Sequence, residues 1–149
     1  MLYDFGVTSD YTNLFNIPSA FVRTADRTNI FIDQTNQSSA WQTTLINPIL
    51  IDEGVNVEFD LLYASYLNMQ IGRYETGKSN SYDSYILTNI QSKTRVLIEI
   101  FEDKNKWYVN KDLVLFDSDR PLTQFNLFFR APRNTILDFS YRNFKICKR

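Results

Sequence analysis

The chain contains no histidine. That single absence removes Ser-His-Asp and Cys-His nucleophilic sites, histidine-bearing zinc sites and the commonest general base. Cysteine occurs once, as Cys147, so no disulfide can close within the chain. A lone thiol near the end of an apolar alternation reads as a small packing residue rather than a reactive one. Only four glycines are present and none forms a Gly-x-x-x-x-Gly-Lys loop, which leaves nucleotide binding without a phosphate cradle. No run of about 18 apolar residues is available to span a bilayer. The start, MLYDFGVTSD, lacks the basic and apolar regions of a secretory signal. A net charge of -1 gives neither nucleic acid nor an anionic membrane an electrostatic reason to bind.

What the chain does hold is a large apolar fraction, 44%, with 15% aromatic residues, enough for one packed domain over residues 1–149. Its apolar residues alternate. In NVEFDLLY, Val57, Phe59 and Leu61 oppose Asn56, Glu58 and Asp60. In LNMQIGRY, Leu67, Met69 and Ile71 oppose Asn68, Gln70 and Tyr74, and in TQFNLFFR, Phe125, Leu127 and Phe129 oppose Gln124, Asn126, Phe128 and Arg130. Period-two patterns of this kind predict half-buried strands. Further strands are expected at 19–24, 29–34, 84–89, 94–101, 106–110, 113–116 and 135–147, with turns at 24–27, 51–54, 75–80 and 131–134. Tyr11–Asn16 could form one short turn of helix. Residues 33–44 read as a polar loop carrying Trp41; its Asn36-Gln37-Ser38 pattern is taken as a chance sequon. Many short strands at close spacing predict an all-β sandwich or barrel.

The segment WYVNKDLVLF resembles the late hairpin of concanavalin-like and laminin-G-like jelly-roll sandwiches. PLTQFNLFFRAP looks like that family's next strand and ILDFSYRNFKIC like its closing strand. The resemblance covers about Val55 to Cys147 in pattern, and it implies a two-sheet antiparallel jelly roll. Lys111 stands where the family often has glycine, so a tight two-residue turn is disfavoured and Asn110–Asp112 is expected to form a longer one.

The retaining glycosidases of this fold carry a Glu-x-Asp-x-x-Glu strand whose alternation sets nucleophile and acid beside one bond. Here Glu58 and Asp60 are present, but Tyr63 occupies the third position, so a non-catalytic protein is expected. No cofactor is expected either. The resemblance leaves structural calcium open, with Asp52, Glu53, Asp117 and Asp119 as local carboxylates that fall short of the six to eight oxygens calcium takes.

Carbohydrate binding suits the remaining residues, because sugars are held by planar aromatics and by amide and carboxylate side chains. The candidate ligand residues are Trp41, Glu58, Asp60, Asn68, Gln70, Tyr74, Gln124, Asn126 and Arg130, which share a surface if their strands lie in one sheet. An ordinary solvated sheet face is the competing reading. Trp41 is either a ligand platform or a lid over the sandwich, and Trp107 is expected in the core. Tyr74, Tyr82 and Tyr85 flank a long turn as a candidate rim. The KNKWYVNKDLVLFD hairpin is read as scaffold rather than site. The expected partner is a glycan or cell-wall polysaccharide. A carbohydrate-binding sandwich without export signal or disulfide further suggests a phage tail, baseplate or fibre protein, located on a virion or extracellular surface. It would then be homo-oligomeric, with virion proteins as partners and Phe128, Leu97 and Phe101 available for an interface. A structural module that decorates or cements such an assembly is the alternative.

Overall fold

The computed structural model describes residues 3–4, 15–24, 26–73, 81–118 and 123–149. Its strands are β1 (Tyr3–Asp4), β2 (Val22–Arg23), β3 (Thr28–Asp33), β4 (Trp41–Thr44), β5 (Ile49–Leu50), β6 (Val55–Arg73), β7 (Ser81–Ile90), β8 (Thr94–Ile100), β9 (Asn105–Val109), β10 (Asp112–Asp117), β11 (Gln124–Ala131) and β12 (Ile136–Lys148). A 3-10 turn at Pro18–Ala20 shortens the strand expected at 19–24. Every pairing is antiparallel.

Two of the expected strands are one. β6 runs 19 residues without interruption, since Ala64-Ser65-Tyr66 holds no residue that breaks a strand. Its register against β12 slips three times: Leu61 pairs with Tyr141 but Tyr63 with Ser140, Ala64 pairs with Phe139 but Tyr66 with Asp138, and Asp60 pairs with Arg142 but Glu58 with Lys145. The first two insert one extra β6 residue each, bulges that bend that strand, and the third inserts one extra residue in β12. The first half of β6 therefore lies between β8 and β12, in the order β10-β9-β8-β6-β12-β3-β2. The second half lies between β7 and β11, and β11 carries β4 and β5 on its far edge. The bend stacks these halves face to face. Trp107 of β9 donates from Nε1 to Asp83 of β7 at 2.6 Å, although their β6 partners' positions are far apart along the strand.

Between the sheets lie Val57, Phe59, Leu61, Leu67, Met69, Ile71, Phe125, Leu127 and Phe129, all buried as their alternation predicts. Full burial of such a side chain is worth roughly 1.5–3 kcal/mol. Phe59 stacks on Phe144 at 5.5 Å within the first sheet, and Phe129 of the second sheet meets Phe139 of the first at 5.3 Å, an aromatic contact that joins the two. Trp107 is buried in this core. Tyr85 packs half-buried on its ring at 6.3 Å, so it belongs to the interior rather than to a rim.

The scarcity of glycine shows in the turns. Left-handed backbone falls to Asn36, Asp52, Asn89, Asn110, Lys111, Asn134 and Asn143, with φ between 49° and 72°. Asparagine and aspartate tolerate this region better than other residues with a Cβ. At the β9–β10 hairpin, Val109 pairs with Asp112, leaving two turn residues, Asn110 at φ 49° and Lys111 at φ 72°. This is the tight type I′ geometry, not the longer turn expected from Lys111. Asn110 explains it: its N–H donates to Arg95 O at 2.8 Å, and its Oδ1 accepts from Arg95 N–H at 2.9 Å. These two bonds clamp the turn to β8.

Candidate functional site

The bend in β6 divides the candidate residues. Glu58 and Asp60 face outward from the first sheet, whereas Asn68, Gln70, Gln124, Asn126 and Arg130 belong to strands of the second. The outer faces of stacked sheets point away from each other, so these residues cannot hold one ligand together. Trp41 is also on a strand of the second sheet, but it pairs with the buried Ala131 rather than with Arg130. It opens β4 instead of lying in a loop, and it lines an apolar hollow of about 500 Å3 with Ile17, Ala20, Phe31 and Ile32. Tyr74 and the turn expected at 75–80 lie outside the described residues, as do residues 11–14 of the expected helical turn.

Two further candidates are occupied by structure. Asn126 is buried, its Oδ1 accepting from Leu45 N–H at 3.0 Å and Leu127 N–H at 2.7 Å while its Nδ2 donates to Leu45 O at 3.0 Å. It replaces ladder bonds where β4 ends before β5 begins, a role for a buried amide that sequence spacing does not reveal. Phe128 is only 4% exposed, so it is not the open interface residue expected from its outward position. Leu97 and Phe101 are half-buried. Gln124 is half-buried where β11 meets β5.

The first sheet's outer face holds the most developed constellation. Antiparallel register sets Glu58 opposite Leu97, Leu97 opposite Tyr108, and Asp60 opposite Arg95. Arg95 bridges both carboxylates, Nη2 to Glu58 at 2.9 Å and Nη1 to Asp60 at 3.0 Å. Asn143, raised by the β12 bulge, donates to Asp60 at 2.9 Å, and Lys93 stands 3.8 Å away. Burial pushes the Asp60 carboxyl up, but the Asn143 and Arg95 hydrogen bonds and the Arg95 and Lys93 charges outweigh it and hold it below its usual value. One row along, burial likewise opposes the Arg149 and Tyr108 hydrogen bonds at Glu99, and that carboxyl too ends low. The same Glu99 bond raises the Tyr108 phenol. Glu58, Arg95, Leu97, Glu99, Tyr108 and Lys111 together line a cavity of about 440 Å3.

Sequence reasoning found Glu58 and Asp60 here but missed Arg95, Glu99, Tyr108 and Lys111. The signal for Tyr108 was available: an inward Trp107 requires an outward neighbour on the same strand. The hairpin read as scaffold thus supplies two walls of the cavity and, through Asn110, fixes the Arg95 backbone. At the third position of the carboxylate pattern, Tyr63 is exposed and its hydroxyl lies 3.2 Å from Asp138 Oδ2. Among the described residues no group of three His, Cys, Asp or Glu side chains gathers as metal ligands. Asp52 is bonded to Lys148, and Asp119 lies outside the described residues.

Architecture and register define an antiparallel two-sheet jelly roll of the concanavalin-like kind. Solved structures of carbohydrate-active proteins share it. A Bacillus licheniformis β-glucanase superposes with a TM-score of 0.60 at 8% identity, covering 99% of this chain and 97% of that one. A prokaryotic β-1,3-1,4-glucanase (lichenase) derived from a mouse hindgut metagenome gives 0.54 at 11% identity, over 93% and 95%. A sialidase gives 0.56 at 12% identity; there the match covers 86% of this chain but spans 16% of the sialidase. These likenesses establish the fold. No protein-family model matches the sequence, and no curated protein matches it significantly.

Proposed function

We propose that the protein is a non-catalytic carbohydrate-binding module whose ligand, a glycan or cell-wall polysaccharide, lies across Tyr108 on the outer face of the first sheet. The observation that carries this reading is the cavity itself, an aromatic ring beside Glu58, Arg95, Glu99 and Lys111. The ring offers an apolar face to a sugar, and the charged groups offer donors and acceptors to its hydroxyls. Charge supports the non-catalytic reading. A glycosidase acid must keep its proton near neutral pH, whereas Asp60, despite the upward push of burial, is held below its usual value by Asn143 and Arg95. Tyr63, at the third position, supplies no carboxyl.

A glycan array probed with wild type and Tyr108→Ala tests the assignment. Loss of the wild-type signals in the variant supports it; unchanged binding, or no binding by wild type, rejects it. Hydrolysis of a β-glucan that disappears in Glu58→Gln replaces it with a glycosidase.

A second reading rests on the edge strand β10, where Leu113 and Phe116 are 53% and 52% exposed. Exposed apolar residues on an edge that no described strand pairs suit burial against another subunit. In that reading the sandwich decorates or cements a virion or surface assembly as a homo-oligomer, in the manner of a phage tail component. Sedimentation separates the two: an oligomer dissolved by Phe116→Ser supports assembly, and a monomer at all concentrations opposes it. Flanking tail or lysis genes would supply the virion context.

A further inference from the structure

The second sheet carries a different groove on its outer face, about 400 Å3 in volume and lined by Gln42, Gln70, Phe128 and Arg130. Arg130 is half-buried, and its Nη1 donates to Gln42 Oε1 at 3.3 Å. Among the described residues no carboxylate pairs with it, whereas Arg27, Arg95 and Arg149 each hold one. Beside it stands Asn68: Phe129 pairs with Met69, which sets the next residue, Arg130, against Asn68. The Asn68 side chain is only 5% exposed, yet its Oδ1 has no hydrogen-bond donor. A buried amide oxygen without a donor is costly, and a guanidinium without an anion leaves a planar fork of donors open.

We propose that this groove is a second ligand site that takes a carboxylate-bearing saccharide. The sugar carboxylate meets the Arg130 fork, and the Gln42 and Gln70 amides that line the groove with it bind neighbouring hydroxyls. A simple anion meets Arg130 but leaves the Gln42 and Gln70 amides without hydroxyls, and a neutral sugar does the reverse. Only a ligand with both groups completes the groove. The site is independent of the Tyr108 reading, because the two faces point in opposite directions. Occupancy of both bridges two polysaccharide strands.

Isotope-labelled full chain titrated with the trisaccharide of galacturonic acid, a neutral glucose trisaccharide and acetate tests this by nuclear magnetic resonance. The acidic trisaccharide is expected to shift the Gln42 and Gln70 side-chain amide signals saturably. Arg130→Gln is expected to weaken it at least about tenfold, and the control Arg133→Gln, the same charge change at an exposed turn, by less than about twofold. The spectra report folding of each variant directly. Absence of saturable shifts overturns the proposal, as does equal affinity for acetate or for the neutral trisaccharide. An equal loss in Arg133→Gln also overturns it, because the effect would then be general charge.

Discussion

The two outer faces of the sandwich are built on one strand, yet they hold their charges in opposite ways. On the first sheet Arg95 ties Glu58 to Asp60, Asn143 and Lys93 add to Asp60, and Arg149 ties Glu99. On the second, amides predominate and Arg130 reaches only the Gln42 amide. The difference comes from the bulges. They carry β6 from one sheet to the other, so its acidic half meets β8, rich in charge, and its amide half meets β11. Charges that satisfy one another organise a surface, and polar groups left unsatisfied mark where a ligand can be selected.

The strongest way to break the comparison is to remove one charge from each face. Asp60→Ala leaves Arg95 and Asn143 without their shared acceptor and is expected to cost about 2–3 kcal/mol. Arg130→Gln is expected to stay within about 0.5 kcal/mol, as for a surface change that breaks no ion pair. Urea unfolding of both variants reads the contrast, and equal losses would show that the faces are not differently built.

Acid should weaken the first face. Asp60 and Glu99 titrate below their unfolded values, so their contribution is complete above the unfolded carboxylate range and is lost as pH falls through their folded values. Urea midpoints are expected to drop in acid below that range, and Asp60→Asn is expected to flatten the drop. A variant whose profile still parallels wild type would remove Asp60 from this account.

A smaller gain is expected at the hairpin that frames the first face. Lys111 adopts left-handed backbone that costs a residue with a Cβ about 1–2 kcal/mol. Lys111→Gly relieves this but gains unfolded-chain freedom, for a net stabilisation of about 0.5–1 kcal/mol, measurable by thermal unfolding.

Much of this fold was legible in the sequence because alternation is local: Val57, Phe59, Leu67, Met69, Phe125 and Leu127 declared their burial two residues at a time. The bulges at Leu62 and Ser65 were not legible. They arise where β6 must serve two sheets, and no residue type there announces an extra position. The candidate site suffered accordingly. Glu58 and Asp60 share the outer side of the first sheet, as their alternation implies, but Asn68, Gln70 and Arg130 were grouped with them when they face the other way. Asn126 was misjudged because an amide that replaces backbone partners for Leu45 looks, in sequence, like any polar residue on a strand. Arg95 and Tyr108 become candidates only once β8 and β9 are aligned against β6.

The most direct test of the central claim follows the Tyr108 ring and the sugar in the same proton spectrum. A panel of neutral oligosaccharides, β-glucan fragments included, is incubated with the protein at neutral pH. The account predicts a saturable shift of the Tyr108 ring signals by at least one saccharide, with its anomeric signals unchanged over time. A Tyr108 ring indifferent to every saccharide, or the growth of new reducing-end signals, would contradict it.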